Sequence, residues 1–120
     1  MGMSYKIDRE RRLVLTRAWG VLSTQELVDV TSRILLDPRF DPTYRSLGDL
    51  REVTDITVDA LDTAHMAATP LFAPQSRRAI VATSDLAYGM ARMFAAYAER
   101  NGQEVRIFRE MPDAEGWLEL

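Results

Sequence analysis

Apolar and polar positions alternate with period two around Tyr5 and Ile7, and again over Arg12–Trp19, where Leu13, Leu15 and Trp19 share one face and Val14 and Ala18 the other. The polar run Asp8-Arg9-Glu10-Arg11 separates the two stretches, so the pattern predicts an antiparallel hairpin. Its second strand is apolar on both faces, which predicts an interior position in a sheet, and Gly20 is expected to end it. Ser23-Thr24-Gln25-Glu26 has the spacing of a capping box, in which the Ser hydroxyl accepts from a free backbone N–H and the Glu reaches back to the cap N–H. Leu27, Val30, Thr31 and Ile34 then recur at helical spacing, with Val28 and Leu35 widening the stripe. Asp37-Pro38 and Asp41-Pro42 stop this helix at Leu36, because the residue before a proline is pushed out of helical geometry. Phe40, between the two prolines, is expected to pin the loop to the body.

A short third strand is expected over Tyr44–Leu50, weakened by Gly48. Thr57 is expected to cap the next helix with Asp59 in its first turn, Val58, Leu61, His65 and Ala68 lying along one face and Pro70 closing it. Leu71-Phe72-Ala73-Pro74 reads as an apolar connector folding back on the domain. Ala79–Ala82, bounded by Arg78 and Thr83, is a compact apolar run of the kind buried on both faces. Ser84-Asp85 opens the longest helix and Asn101-Gly102 ends it. Along it Leu86, Met90, Phe94 and Tyr97 form one stripe, and Ala87, Ala91, Ala95 and Ala98 a small-residue stripe suited to close approach by a sheet or a partner helix. Val105–Phe108 is the last strand, and Pro112 starts a short final helix through Trp117 and Leu118.

The predicted order is ββαβαβαβα, an α/β fold with a mixed, mostly parallel five-stranded sheet, right-handed crossovers and an antiparallel edge hairpin. A hydrophobic fraction of 47% with 28% charged residues suits one globular core rather than a disordered chain. The absence of cysteine excludes disulfides, thiolate metal sites and cysteine nucleophiles. The longest apolar run, Met93–Ala98, is far short of the roughly 20 residues that span a bilayer. The N-terminus shows no secretory pattern, so a cytoplasmic location is expected. A net charge of −3 argues against nucleic acid as a partner. Fourteen arginines stand against one lysine, but they are scattered rather than massed on one stripe.

Ligands of open strand–helix sheets gather beyond the carboxyl ends of the strands. That rule selects Asp49, Arg51 and Glu52 after the third strand, Thr83, Ser84 and Asp85 after the fourth, and Arg109 and Glu110 after the fifth. Asp49 at a strand end needs a partner, either backbone N–H groups or an arginine such as Arg51 or Arg92. Ser84 has the chemistry of an ordinary helix cap and also of an anion site, with Arg92 two turns further on. His65 is the only histidine and reads as a partly buried packing residue, so no histidine metal site can be built. No serine has nucleophile-elbow spacing, and the six glycines never fall at phosphate-loop or dinucleotide spacing. No catalytic residue, metal or cofactor is therefore assigned. Met66, Leu71, Phe72, Met90 and Met93 together offer the lining of a small apolar cavity.

The hairpin Tyr-Lys-Ile-Asp…Arg-Leu-Val-Leu, the loop Leu36–Pro42, the segment Leu47-Gly48-Asp49-Leu50-Arg51 and the run Tyr88–Phe94 resemble the small bacterial SpoIIAA-like proteins, relatives of STAS domains. The resemblance extends to the closing Val-Arg-Ile-Phe-Arg…Trp-Leu and implies a single STAS-like domain over residues 1–120. Anti-sigma-factor antagonists of that fold carry an Asp-Ser-Ser/Thr-Gly-like segment with a phosphorylatable hydroxyl. Here Asp49-Leu50-Arg51-Glu52-Val53 keeps the Asp and lacks both the hydroxyl and the glycine, so the usual phosphoacceptor serine is missing, although Thr54 and Thr57 follow shortly.

Three functions are open at this point. The first is a non-enzymatic cytoplasmic interaction module binding a protein partner or itself as a homodimer, with the alanine stripe as interface. The second is a carrier for a small apolar ligand or lipid, held between the sheet and the second and third helices near Met90. The third is an enzyme in which Asp49, Ser84 and Arg92 converge. Asp49, Arg51, Ser84, Arg92 and Met90 are the residues nominated for ligand or partner binding.

Overall fold

The elements run β1 (Gly2–Asp8), β2 (Leu13–Leu22), α1 (Thr24–Leu36), β3 (Arg45–Ile56), α2 (Ala60–Ala68), β4 (Arg77–Val81), α3 (Asp85–Arg100), β5 (Glu104–Phe108) and α4 (Met111–Trp117) in a computed structural model that describes residues 2–69 and 71–120. Strand order in the sheet equals chain order, β1-β2-β3-β4-β5. The β1–β2 hairpin is antiparallel, with Tyr5 opposite Thr16 and Ile7 opposite Val14. All other neighbours are parallel, so β2 is an interior strand. This is the predicted mixed α/β sheet.

The period-two alternation assigns the two faces. Leu13, Leu47, Ala79 and Val81 pack beneath Ala114 and Leu118 of α4. Ile7, Val14, Val30, Ile34 and Phe72 form a cluster on the opposite face, and Ala18, Leu22, Val53 and Val58 extend that layer. The connector after α2 folds back as expected: Phe72 is buried and meets the Phe40 ring edge-on, centroids 5.4 Å apart.

Several local expectations are corrected. Gly20 does not end β2, which continues to Leu22; Gly20 takes a φ of 69° beside a register shift. β3 does not stop at Leu50 but runs to Ile56, because two irregularities against β2, between Arg17 and Trp19 and between Gly20 and Val21, each insert an extra β3 residue and re-aim the side chains beyond them. Asp49, Arg51 and Glu52 therefore lie within β3 rather than beyond it. The cap of α2 is Asp59, whose side chain accepts from Asp62 N at 2.8 Å, and not Thr57, whose N–H donates to Leu22 O. With the helix starting later, its buried residues are Thr63 and Ala67; Leu61, His65 and Ala68 face outward. Pro70 lies outside the described residues. In α1 the cap Ser23 accepts from Glu26 N at 3.2 Å, but the Glu26 carboxylate accepts a hydrogen bond from the Ser23 hydroxyl at 3.4 Å rather than from the cap N–H, and Val28 and Leu35 are exposed.

On α3 the alanine stripe is the face that meets the sheet, with Ala87, Ala91 and Ala98 buried, so it is not available to a second copy. Leu86 leaves the apolar stripe and is exposed. The cap Ser84 accepts from Ala87 N at 3.1 Å, and the helix ends at Asn101 with Gly102 at φ 78°.

Candidate functional site

The helices are not spread evenly over their face of the sheet. α1 packs on β1 at one edge, α3 packs on β5 and β3 toward the other, and α2 leans on α3. The middle of the sheet between them is left as the floor of a cavity of about 420 Å³, within the range of roughly 300–1,000 Å³ usual for small-molecule sites. The floor is built from small and polar positions that the register places side by side: Thr16 on β2, Ser46 and Gly48 on β3, and Arg78 and Ile80 on β4. A Cβ added at Gly48 would stand 3.2 Å from Thr16 Oγ1, so the absent side chain keeps the floor low. The walls are apolar, with Leu27, Val30 and Ile34 from α1, Met66 from α2, and Met90 and Phe94 from α3. Of the nominated cavity lining, Met66, Leu71, Phe72 and Met90 are present and Met93 is not.

One floor residue is of another kind. Arg78 as a whole is partly buried, but its guanidinium lies among apolar atoms, 4.6 Å from the Phe72 ring centroid and 5.5 Å from that of Phe94. Its Nε is closed off from solvent with no hydrogen-bond partner. No carboxylate among the described residues forms an ion pair with it. Desolvation alone pushes its pKa down to about 10, so the side chain still carries its charge at neutral pH. Nearby, Gln103 donates to Phe72 O at 3.4 Å while its own Oε1 has no partner.

The nominated polar residues do not converge. Asp49 lies in β3 beside Leu47's face, the α4 side of the sheet, whereas Met90 lines the cavity on the other side. The Asp49 carboxylate is engaged by Arg51, Nε to Oδ1 and Nη2 to Oδ2 both at 2.9 Å, with Arg51 N at 3.0 Å. The Arg51 guanidinium thereby holds this carboxyl below its usual range. Ser84 is occupied as the α3 cap. Arg92 is exposed, 5.9 Å from the Tyr88 ring centroid. Arg109 spans the ends of β4 and β5, donating to Thr83 O at 2.9 Å and Asp85 Oδ1 at 3.0 Å. No group of three or more potential metal ligands occurs among the described residues.

No protein-family model matches the chain. No curated protein matches it. Among solved structures, an uncharacterized protein of the DUF3478 family with a SpoIIAA-like fold, from Shewanella loihica PV-4, superposes with a TM-score of 0.66 over 98% of this chain and 94% of its own, at 21% identity. The chain has a SpoIIAA-like fold. At that identity the likeness establishes the fold, and the chemistry has to come from the residues. The segment Asp49–Val53, on which the sequence resemblance to anti-sigma-factor antagonists is drawn, is part of strand β3. No described helix is long and apolar enough to cross a membrane.

Sequence reasoning passed over Arg78, treating it as the boundary of an apolar run. The alternation held the information: in a strand beginning at Arg77, residues 78 and 80 share a face. Arg77 points the other way, donating to Trp117 O at 2.9 Å beneath α4.

Proposed function

We propose that this SpoIIAA-like chain is a non-enzymatic binding module that holds a small, largely apolar molecule between the sheet and helices α1, α2 and α3. The observation that carries the reading is the chamber of about 420 Å³ left where α1 and α3 dock toward opposite edges of the sheet. Its adaptable methionine walls suit a flexible guest. N-phenylnaphthylamine, a neutral probe that fluoresces in apolar surroundings, tests it. The wild-type chain is expected to take up one equivalent saturably, and Met90→Trp, which fills the chamber from α3, is expected to abolish uptake while the far-ultraviolet circular dichroism stays unchanged. Absence of saturable uptake by the wild type refutes the reading, and undiminished uptake by the variant refutes the placement.

A second reading, an interaction module for a protein partner or a second copy, is favoured by one observation. Val28, Leu35 and Leu36 of α1, Leu61 of α2 and Leu86 of α3 are exposed on the helical layer, Leu36 at 82%. Light scattering across a concentration series tests self-association, and a strict monomer at high concentration removes the homodimer.

A further inference from the structure

We infer that the guest of this chamber is an aliphatic amphiphile with a monoanionic head, a carboxylate, and that Arg78 is the side chain that receives the head. The inference rests on the binding-module reading above and adds the chemical class of the ligand.

The chain holds 18 acidic residues against 15 basic ones, so counter-ions are in surplus. Arg11, Arg17, Arg39, Arg51 and Arg109 each have one. The other arginines are exposed, or, like Arg45 and Arg77, donate to backbone carbonyls. Arg78 is partly buried and has neither an ion pair nor a hydrogen bond among the described residues, and its Nε donor is orphaned. A buried cation without a partner is unfavourable until an anion arrives. Arg78 borders the chamber, whose walls accept hydrocarbon. A guest that brings a charged head into that space must therefore bring an apolar body with it.

The head's charge follows from the lining. Among the described residues Arg78 is the only arginine or lysine bordering the chamber, and the other titratable lining group, His65, sits on the exposed face of α2. One guanidinium neutralises one negative charge. A doubly ionised phosphate monoester would leave a net charge in an apolar site, whereas a carboxylate matches the planar guanidinium fork. Ser46, the register neighbour of Arg78 on β3, also lines the chamber and offers a hydroxyl donor beside the head.

Displacement of N-phenylnaphthylamine by dodecanoate, dodecanol, dodecyl phosphate and dodecyltrimethylammonium, each below its micelle concentration, tests this on the full chain. Dodecanoate is expected to bind about ten- to a hundredfold more tightly than dodecanol, the range that charge-assisted hydrogen bonds supply. Dodecyl phosphate is expected to gain less than dodecanoate, and dodecyltrimethylammonium to bind most weakly. Arg78→Met is expected to erase the preference for dodecanoate while leaving dodecanol binding in place. Equal binding of dodecanol and dodecanoate by the wild type overturns the anionic head and leaves the apolar chamber standing. Tighter binding of dodecyl phosphate overturns the monoanion. Failure of every probe and competitor overturns the chamber and the inference together. Persistence of the preference in Arg78→Met, or in Arg78→Gln where the first variant does not fold, overturns the role of Arg78.

Discussion

Replacing Arg78 with Met should make the ligand-free protein more stable, an unusual outcome for truncating a half-buried side chain. Burial pushes the guanidinium from its ordinary range down to about 10, which corresponds to roughly 3 kcal/mol of penalty for keeping the charge where it is. Against this stand the two ring contacts at 4.6 and 5.5 Å, each worth about 0.5–2 kcal/mol when desolvated. Methionine keeps most of the aliphatic stem and sets a thioether near the same two rings, which recovers about 0.3–1.5 kcal/mol of that loss. Taken at mid-range, these terms leave a stabilisation of about 1–2 kcal/mol. With a urea m-value of about 1–3 kcal/mol per molar for a chain of this size, the unfolding midpoint should rise by roughly 0.3–2 M.

The assay is equilibrium urea unfolding of both proteins at neutral pH, followed by circular dichroism, with m compared between them. A higher midpoint at unchanged m supports the account. A midpoint lowered by the variant refutes the reasoning, because it would mean that the guanidinium is satisfied inside the fold and that its stem or charge is structural. Added dodecanoate should reverse the order, stabilising the wild type and leaving Arg78→Met behind.

Ser84→Ala should cost about 1 kcal/mol in urea unfolding through loss of the cap bond to Ala87 N, and probe uptake should be unaffected; a change in affinity would place Ser84 in the site. Ala98→Leu, at a buried position of the alanine stripe that does not border the chamber, should destabilise by about 1–3 kcal/mol through overpacking; an unchanged midpoint would mean that this part of the stripe faces open space. Asp37 accepts from Tyr5 OH at 2.8 Å and from Arg39 N, Nε and Nη2 at 2.7–3.0 Å, and the Arg39 guanidinium holds its carboxyl far below the usual range. Its contribution is therefore complete above the unfolded carboxyl pKa of 3.8 and is lost as pH falls toward the lower folded value, so Asp37→Asn should flatten the acid limb of the stability curve; an unaltered limb would show that Asp37 makes no net contribution to it.

The element order was legible because each boundary has a local cause: capping serines before α1 and α3, prolines after α1, a glycine past α3. What the pattern misjudged depends on neighbours that are distant in sequence. β3 reads as finished at Leu50 because its alternation breaks there, yet the break is a pair of bulges imposed by β2, and the strand resumes with Val53 aimed at the helical layer. The stripe drawn from Val58 through Leu61 and His65 counts helical turns from a residue outside α2, and beginning instead at Asp59 rotates the buried face onto Thr63 and Ala67. Part of the site was visible, since Met66, Phe72 and Met90 do line one cavity. Its polar member was not, since an arginine beside an apolar run reads as a solvated end unless the strand is known to include it.

The two faces of the sheet treat their charges in opposite ways, and the contrast decides where function is sought. On the α4 side, Asp49 is neutralised two residues along its own strand by Arg51, and Arg77 donates a hydrogen bond to the Trp117 carbonyl under the covering helix. Those groups are satisfied, and satisfied groups hold a fold together without asking for anything else. On the other side, the floor positions Thr16, Ser46 and Gly48 are too small to fill the span between α1 and α3, and the one large floor residue with a charge, Arg78, is left without a counter-ion. A strand able to match its own Asp49 with Arg51 shows that the sheet can neutralise a charge locally when nothing external is required. The cation left unmatched on the floor of an apolar chamber is the place where, on the proposed function, stability is traded for recognition.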